Sequence, residues 1–215
     1  MIPFVATRVR YAETKTCILC ERLYLVGDAQ DQRKHRKRCA AYRAVLDAKP
    51  NEHTQPYAGR FFEVSAEISA SPPRWALVHV QHCARLFSRE LTMSGLASLW
   101  DPDCRGHDSA LAFIPVSDDC RMQGVAVVGD PTSEKPVLTW TWIVPSMRGQ
   151  GVFTRIWNML SERFGDFFIG GPYSEGMMNY LQHRNVAAER LCYGQCLIEP
   201  GPVRFVGNRF ERRLR

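Results

Sequence analysis

Four residues near the start of the chain constrain its fold more than anything else in it: Cys17-x2-Cys20-x14-His35-x3-Cys39. This is the spacing of a tetrahedral zinc site. Two thiolates come from a tight knuckle. His35 and Cys39, four residues apart, share one face of a helix. The flanking segments fit a strand–knuckle–strand–helix order. "RYAETKTC" and "CERLYLVG" read as hairpin arms, "DQRKHRKRCAAYRAV" as the helix, and Tyr24 as the aromatic of a small core. "AAYRAVLDA" (40–48) reads as a short helix or as that helix continued. A module this small buries too little apolar area to fold without metal. The expectation is Zn2+ bound by Cys17, Cys20, His35 and Cys39.

The chain has eight cysteines in 215 residues. "MIPFVATRVRYAETK" lacks the apolar core, roughly 7–15 residues long, of a signal peptide. No run approaches the ~18 apolar residues of a membrane span. The reading is a cytoplasmic chain (nuclear in a eukaryote) with no membrane partner, where close cysteine pairs mean metal more often than disulfide. With 45% hydrophobic and 23% charged residues, the composition excludes a disordered acidic tail, a collagen-like repeat and a coiled coil.

Charge is unevenly placed. Residues 1–60 hold 12 Lys+Arg and 6 Asp+Glu, whereas 61–215 hold 16 of each, so the whole excess of +6 lies in the first quarter. "RKHRKRC" has two readings. It is a phosphate-contacting stretch that gives the zinc-finger helix a possible DNA contact, or the solvated face of a finger that packs on the rest and reads nothing. "KPNEHTQPYAG" (49–59) reads as a linker, with two Pro and a Gly among polar residues. The domains expected are a zinc-finger module (1–48), a linker (49–59), a catalytic-type domain (60–208) and a basic tail (209–215).

From residue 60 strands and helices alternate. Strands are expected at 60–69, 109–116, 122–130, 135–145, 166–171 and 190–199, with one more after Gly201. Helices are expected from Pro72-Pro73 to about Leu91, over 151–165, where Val152, Ile156, Leu160 and Phe164 lie four apart, and over 174–185, with Ser174 as N-cap. This order fits a mixed α/β domain with a largely antiparallel front and one β-α-β unit late in the chain.

"TWTWIVPSMRGQGVFTRIW" joins the strongest strand to a helix through Arg148-Gly149-Gln150-Gly151. Main-chain N–H groups at a helix N-terminus cradle phosphate, and the glycines let the backbone approach closely. The loop is not a Walker loop, since no GK[ST] follows, nor a dinucleotide fingerprint, since the third glycine is missing.

The loop resembles the acetyl-CoA loop of the GNAT N-acetyltransferase superfamily, Arg/Gln-x-x-Gly-x-Gly/Ala. Arg148 and Gly151 fill the first two places; Phe153 stands where that family prefers Gly or Ala. The resemblance spans about residues 60–200. It implies that the main chain at Ile143 and Val144 binds the pantetheine arm. Arg148, Gly149, Gln150, Gly151, Val152 and Phe153 would hold the pyrophosphate, and "DFFIGG" and "SEGMMNYLQHRN" would form the other side of the cleft. Tyr180 falls near the general-acid tyrosine of many members. A zinc finger directly ahead of such a domain resembles the cohesin (sister-chromatid cohesion) acetyltransferase family. Here Gly171 stands in place of that family's Asp, and Cys39 in place of a His.

The implied fold is an α+β domain with a mixed, mostly antiparallel sheet flanked by helices, preceded by a ββα-type CCHC finger. The implied activity is acetyl-CoA-dependent N-acetyl transfer to an amine of a macromolecular acceptor, protein or nucleic acid, with a protein lysine first. A main-chain N–H near Ile143 would polarise the thioester carbonyl. "PVLTWTWIV" carries no acid, so Glu175, His183 and Asp166 are the candidate substitute bases, although a residue of each kind more often reads as a solvated surface residue. Tyr180 and Glu175 are taken as the catalytic pair. Two alternatives stand: a phage-type GNAT-fold enzyme modifying DNA bases, like the Mom family, and a non-catalytic zinc-finger nucleic-acid binder with an inactive GNAT-like domain.

Three weaker motifs remain. Cys192 and Cys196 share one face of a strand as free thiols. "WDPDCRGHD" (100–108) is a second metal site or a polar loop. "HVQHC" places His79 and Cys83 on one helix face, lining an acceptor site or facing solvent.

Overall fold

The computed structural model describes residues 13–20, 22–67, 70–91, 100–102, 109–171 and 173–192, and the backbone of 203–206 and 209–212. It divides into two compact units, 1–46 and 47–215.

In the first unit β1 (Thr14–Thr16) and β2 (Leu23–Leu25) pair antiparallel, and α1 (Ala29–Leu46) follows. Asp28 starts the helix by accepting from the N–H groups of Gln30 and Asp31, both at 2.8 Å. Asp31 ties helix to hairpin, accepting from Leu25 N–H at 2.8 Å and from Arg22 at 2.5 Å. The Leu25 N–H, and then Arg22, hold its carboxyl below the usual carboxylate range. The segment from 40 onward continues α1 and forms no separate helix.

The second unit contains β3 (Phe61–Ser65), α2 (Arg74–Glu90), β4 (Ala110–Pro115), β5 (Gly124–Gly129), β6 (Val137–Ile143), α3 (Val152–Phe164), β7 (Phe168–Gly170), α4 (Glu175–His183) and β8 (Leu191–Cys192). One sheet runs β3-β4-β5-β6-β7-β8. The first three pairings are antiparallel and the last two parallel. The domain is thus α+β with a mostly antiparallel sheet flanked by helices. It has two β-α-β units where the sequence pointed to one, because α4 and a short 3-10 turn (Ala188–Arg190) return the chain parallel to β7. The tail differs as well. β9 (Val203–Val206) and β10 (Arg209–Arg212) form a separate antiparallel hairpin, so residues 209–212 are strand.

The supposed linker is folded. Residues 52–57 form a 3-10 helix capped by Asn51, whose side chain accepts from His53 N–H at 2.9 Å. Thr54 is buried, donating from its hydroxyl to Asn51 O (2.8 Å) and Cys120 O (2.6 Å). Proline and polar residues read alike in a linker and in a packed irregular segment. Long-range contacts separate the two: Thr54 Oγ1 donates to Cys120 O, 66 positions away, and Gly59 N–H to Ser117 O.

Helix α3 buries Val152, Ile156 and Leu160 against Phe113, Ala126, Val128 and Leu138 of the sheet. On the opposite face α2 is buried almost all round, His79, Gln81 and His82 included. One residue assigns β6 to both layers. Val127 pairs with Trp140 but Val128 with Leu138, so Thr139 is the extra residue of a β-bulge. Directly opposed residues share a face. Leu138 therefore lies with Val128 toward α3, whereas Trp140 and Trp142 lie with Val127 and Val125 toward α2, where Phe87 meets Trp140 at 5.5 Å.

His79 and Cys83 are core residues, not a solvent face. His79 Nε2 lies 3.4 Å from Gly124 O and 3.5 Å from Cys83 Sγ, and its Nδ1 is buried without a partner among the described residues. Burial pushes the His79 pKa down from 6.5 to about 4, and raises the Cys83 thiol well above its ordinary value. Between these two pH values the unfolded chain binds a proton that the folded chain refuses. Folding stability therefore falls as pH drops below 6.5, by about 2 kcal/mol at pH 5 from this group. Urea denaturation of His79→Gln alongside the parent at pH 5 and pH 7 checks this. The variant should lose much less between them; parallel losses would discount the histidine.

Candidate active site and metal centre

The donor atoms of Cys17, Cys20, His35 and Cys39 all lie within 4.8 Å of one another. Cys39 Sγ is 3.4 Å from Cys17 Sγ, 3.5 Å from Cys20 Sγ and 3.1 Å from His35 Nε2. Tetrahedral ligands at a Zn–S length of about 2.3 Å stand about 3.8 Å apart, so the four residues fit a Cys3His zinc site. Tyr24 stacks on the His35 ring at 4.0 Å and 9°, fixing the imidazole plane. The His35 ring draws the Cys17 thiol down to about 6, whereas burial pushes Cys39 up to about 12. Three sulfurs in one site ionise together only around a cation. Among the described residues this is the one such His/Cys/Asp/Glu group.

In the larger unit the candidate active site is a cleft of ≈ 650 Å³ lined by β6, the 147–151 turn, the first turn of α3, Gly170 and α4. Two features open it. Strands β6 and β7 pair only at Val137–Phe168 and Leu138–Ile169. From the bulge at Thr139 onward, β6 has a strand partner on the β5 side alone, and its other main-chain edge faces the cleft. Beyond β6 the chain turns through Gly149 (φ 75°) and Gly151 (φ 77°) into α3. Both positive φ values favour glycine, and nothing lies within 4 Å of where a Cβ would stand. No side chain caps α3, so its first-turn N–H groups have no partner within the helix. An open strand edge ending at a free helix N-terminus suits a ligand with an amide-bearing arm and a phosphate.

Ile143, Arg148, Gly149, Gly151, Val152 and Phe153 line the cleft, as do Tyr180 and Glu175. Val144 is buried behind it, and Gln150 donates from its side chain to Ser146 O at 2.8 Å. Asp166 is almost fully exposed and pairs with Arg190; His183 is exposed at the end of α4. Neither lines the cleft. Tyr180 sits edge-on to Phe153 at 4.7 Å, and its hydroxyl is buried with no hydrogen-bond partner among the described residues. Gly171 N–H donates to Cys192 O at 2.8 Å, a purely structural contact. Cys196 and the 103–108 cluster lie outside the described residues.

Sequence reasoning missed Glu90. At the end of α2, its carboxylate lines the cleft and accepts from Trp142 Nε1 (3.0 Å) and from Arg148 Nη2 (2.8 and 2.9 Å). Arg148 Nε also donates to Ile143 O at 3.0 Å. The charge expected to face a phosphate is thus met by Glu90, 58 positions away, and no local pattern announces that pairing.

No protein-family model matches the chain, and no curated protein sequence matches it. Among solved structures, one titled "Structure of xEco2 acetyltransferase domain" overlays with a TM-score of 0.43 at 14% identity, covering 66% of this chain and 94% of that one.

Proposed function

We propose that the larger unit is an acetyl-CoA-dependent N-acyltransferase whose acceptor is an amine of a macromolecule, a protein lysine first. The observation that carries this reading is the splay of β6 from β7 at the Thr139 bulge, ending on the Gly149–Gly151 turn. The open β6 edge at Thr141–Ile143 suits the amides of a pantetheine arm, and the N–H groups of Gly151–Phe153 suit the pyrophosphate. The orphaned Tyr180 hydroxyl supports a ligand atom in the cleft, since buried polar groups are otherwise paired.

Bound acetyl-CoA would supply the thioester acyl group. Within the cleft, Tyr180 Oη holds a proton and has no acceptor among the described residues, the disposition of a general acid for a leaving thiolate. The attacking amine must lose a proton. Two carboxylates line the cleft to take it: Glu175, exposed in the first turn of α4, and Glu90. Glu90 already accepts from Trp142 and Arg148, so Glu175 is the freer base.

Calorimetric titration with acetyl-CoA, followed by turnover on a panel of amine acceptors, tests the reading; absence of CoA binding overturns it. Tyr180→Phe should lower kcat about 100-fold with KM for acetyl-CoA little changed, as loss of a general acid does. An unchanged kcat would remove the tyrosine from the chemistry. If nucleosides from expressing cells change mass while amine acceptors stay unmodified, the same cleft serves a DNA base.

A further inference from the structure

The chemistry assigned to the larger unit leaves the strongest charge feature of the molecule unused. The first unit, residues 1–46, holds ten Lys+Arg against four Asp+Glu, and residues 47–215 are neutral. Five of those cations, Arg33, Lys34, Arg36, Lys37 and Arg38, stand in six consecutive residues of α1, all exposed. At 3.6 residues per turn, Arg33, Lys37, Lys34 and Arg38 fall within an arc of about 140°, with His35 and Cys39 on the opposite side. The metal site thus fixes the helix with its basic face turned outward.

That face is unfavourable alone. Arg33–Lys37 and Lys34–Arg38 are like-charge pairs at i,i+4, and Arg33–Arg36 and Lys34–Lys37 at i,i+3; each disfavours the helix. The described acids of this unit form no ion pair with them, and only Asp31 attracts one of them, Lys34. Asp28 caps the helix start, Asp31 holds Arg22 and Leu25, and Glu13 pairs with Lys15. No ion pair involves these five cations among the described residues. The face is also bare of apolar anchors. Its other exposed residues are Gln30, Ala40 and Ala44, and the exposed Ile18, Leu23 and Leu25 sit in the knuckle and hairpin. Protein interfaces carry buried aromatic or aliphatic anchors, whereas phosphate contacts need cations and amides.

We infer that the outer face of α1 is a docking surface for the phosphate backbone of duplex DNA, bound without base readout. A B-form major groove admits an α-helix, while the narrow groove of duplex RNA does not. The inference is independent of the acyltransferase reading.

The test is fluorescence anisotropy of the zinc-loaded full chain with a labelled random-sequence 20-base-pair duplex, across a range of salt. Log Kd should change with log salt with a slope of magnitude about 4.5, as five neutralised phosphates require. Lys34→Ala/Lys37→Ala/Arg38→Ala should lower that slope by about 3 and weaken binding at least tenfold at moderate salt. Alanine favours the helix at these exposed positions, and unchanged zinc content and circular dichroism show that the variant is folded. Lys135→Ala, exposed on the larger unit, should leave both readings unchanged. An unaltered slope in the triple variant overturns the inference. So does a polyglutamate peptide that binds as tightly as DNA and is lost in the same variant, which would make the face an acidic-protein site.

Discussion

Removing metal from the first unit should abolish its helix while leaving the larger unit folded. Few of its described side chains are buried: Cys20, Cys39, Tyr42 and Val45, and two of those four are metal ligands. Helix α1 is 18 residues long but has no continuous apolar stripe, and its centre is a block of like charges. A helix of that kind is marginal in water without tertiary support. Structural zinc supplies about 10–16 kcal/mol in small modules, far more than the remaining contacts provide. Titration with a strong chelator, followed by far-ultraviolet circular dichroism, should show a partial loss of helix. Limited proteolysis should then cut within α1 and spare the sheet of the larger unit. Cys20→Ser should reproduce the effect without chelator. A helix signal unchanged at zero bound metal would refute the zinc-dependent fold.

The largest effect expected from one substitution in the other unit is at Gly124. A Cβ there would stand 2.2 Å from Trp142 O and 2.8 Å from Ile143 Cα, both backbone atoms, at φ +146°. Neither obstacle can swing aside as a side chain would. Backbone strain and overpacking together put Gly124→Ala at about 3–5 kcal/mol of lost stability. The damage would fall where it matters for the cleft, because β5 pairs there with Ile143, whose carbonyl accepts from Arg148. Gly149→Ala is the internal control. It has φ +75° but open space around the added methyl, so it carries the cost of the backbone alone, about 1 kcal/mol. Denaturant midpoints of the two variants check the difference. A Gly124→Ala protein as stable as the Gly149→Ala protein would refute the crowding argument.

What could be read in the sequence was local. The zinc ligands fall within 23 residues, and their spacing alone implied the cluster that forms. Strand β6, the glycine turn and α3 are contiguous, and the apolar period at Val152, Ile156 and Leu160 marks the buried face directly. What escaped depends on partners far apart in the chain. The Glu90–Arg148 pair joins residues 58 positions apart, and Thr54 finds its acceptor 66 positions away. The burial of His79 escaped because histidine and glutamine mark a helix face as polar, whereas α2 is enclosed on nearly all sides. The parallel placement of β8 escaped because two strand residues carry no directional signal.

Thr139 acts on β6 as a phase shifter. Were β6 pleated regularly through Thr139, Leu138, Trp140 and Trp142 would all fall on one face, and both indoles would rotate into the layer that α3 already fills. Glu90 would then lose its indole donor, and the mouth of the cleft its α2 wall. The parity of the pairing is what matters here: Trp140 must stand opposite Val127, with Thr139 outside the ladder. Two even-numbered neighbours reach opposite helices only because the residue between them is left out of the ladder.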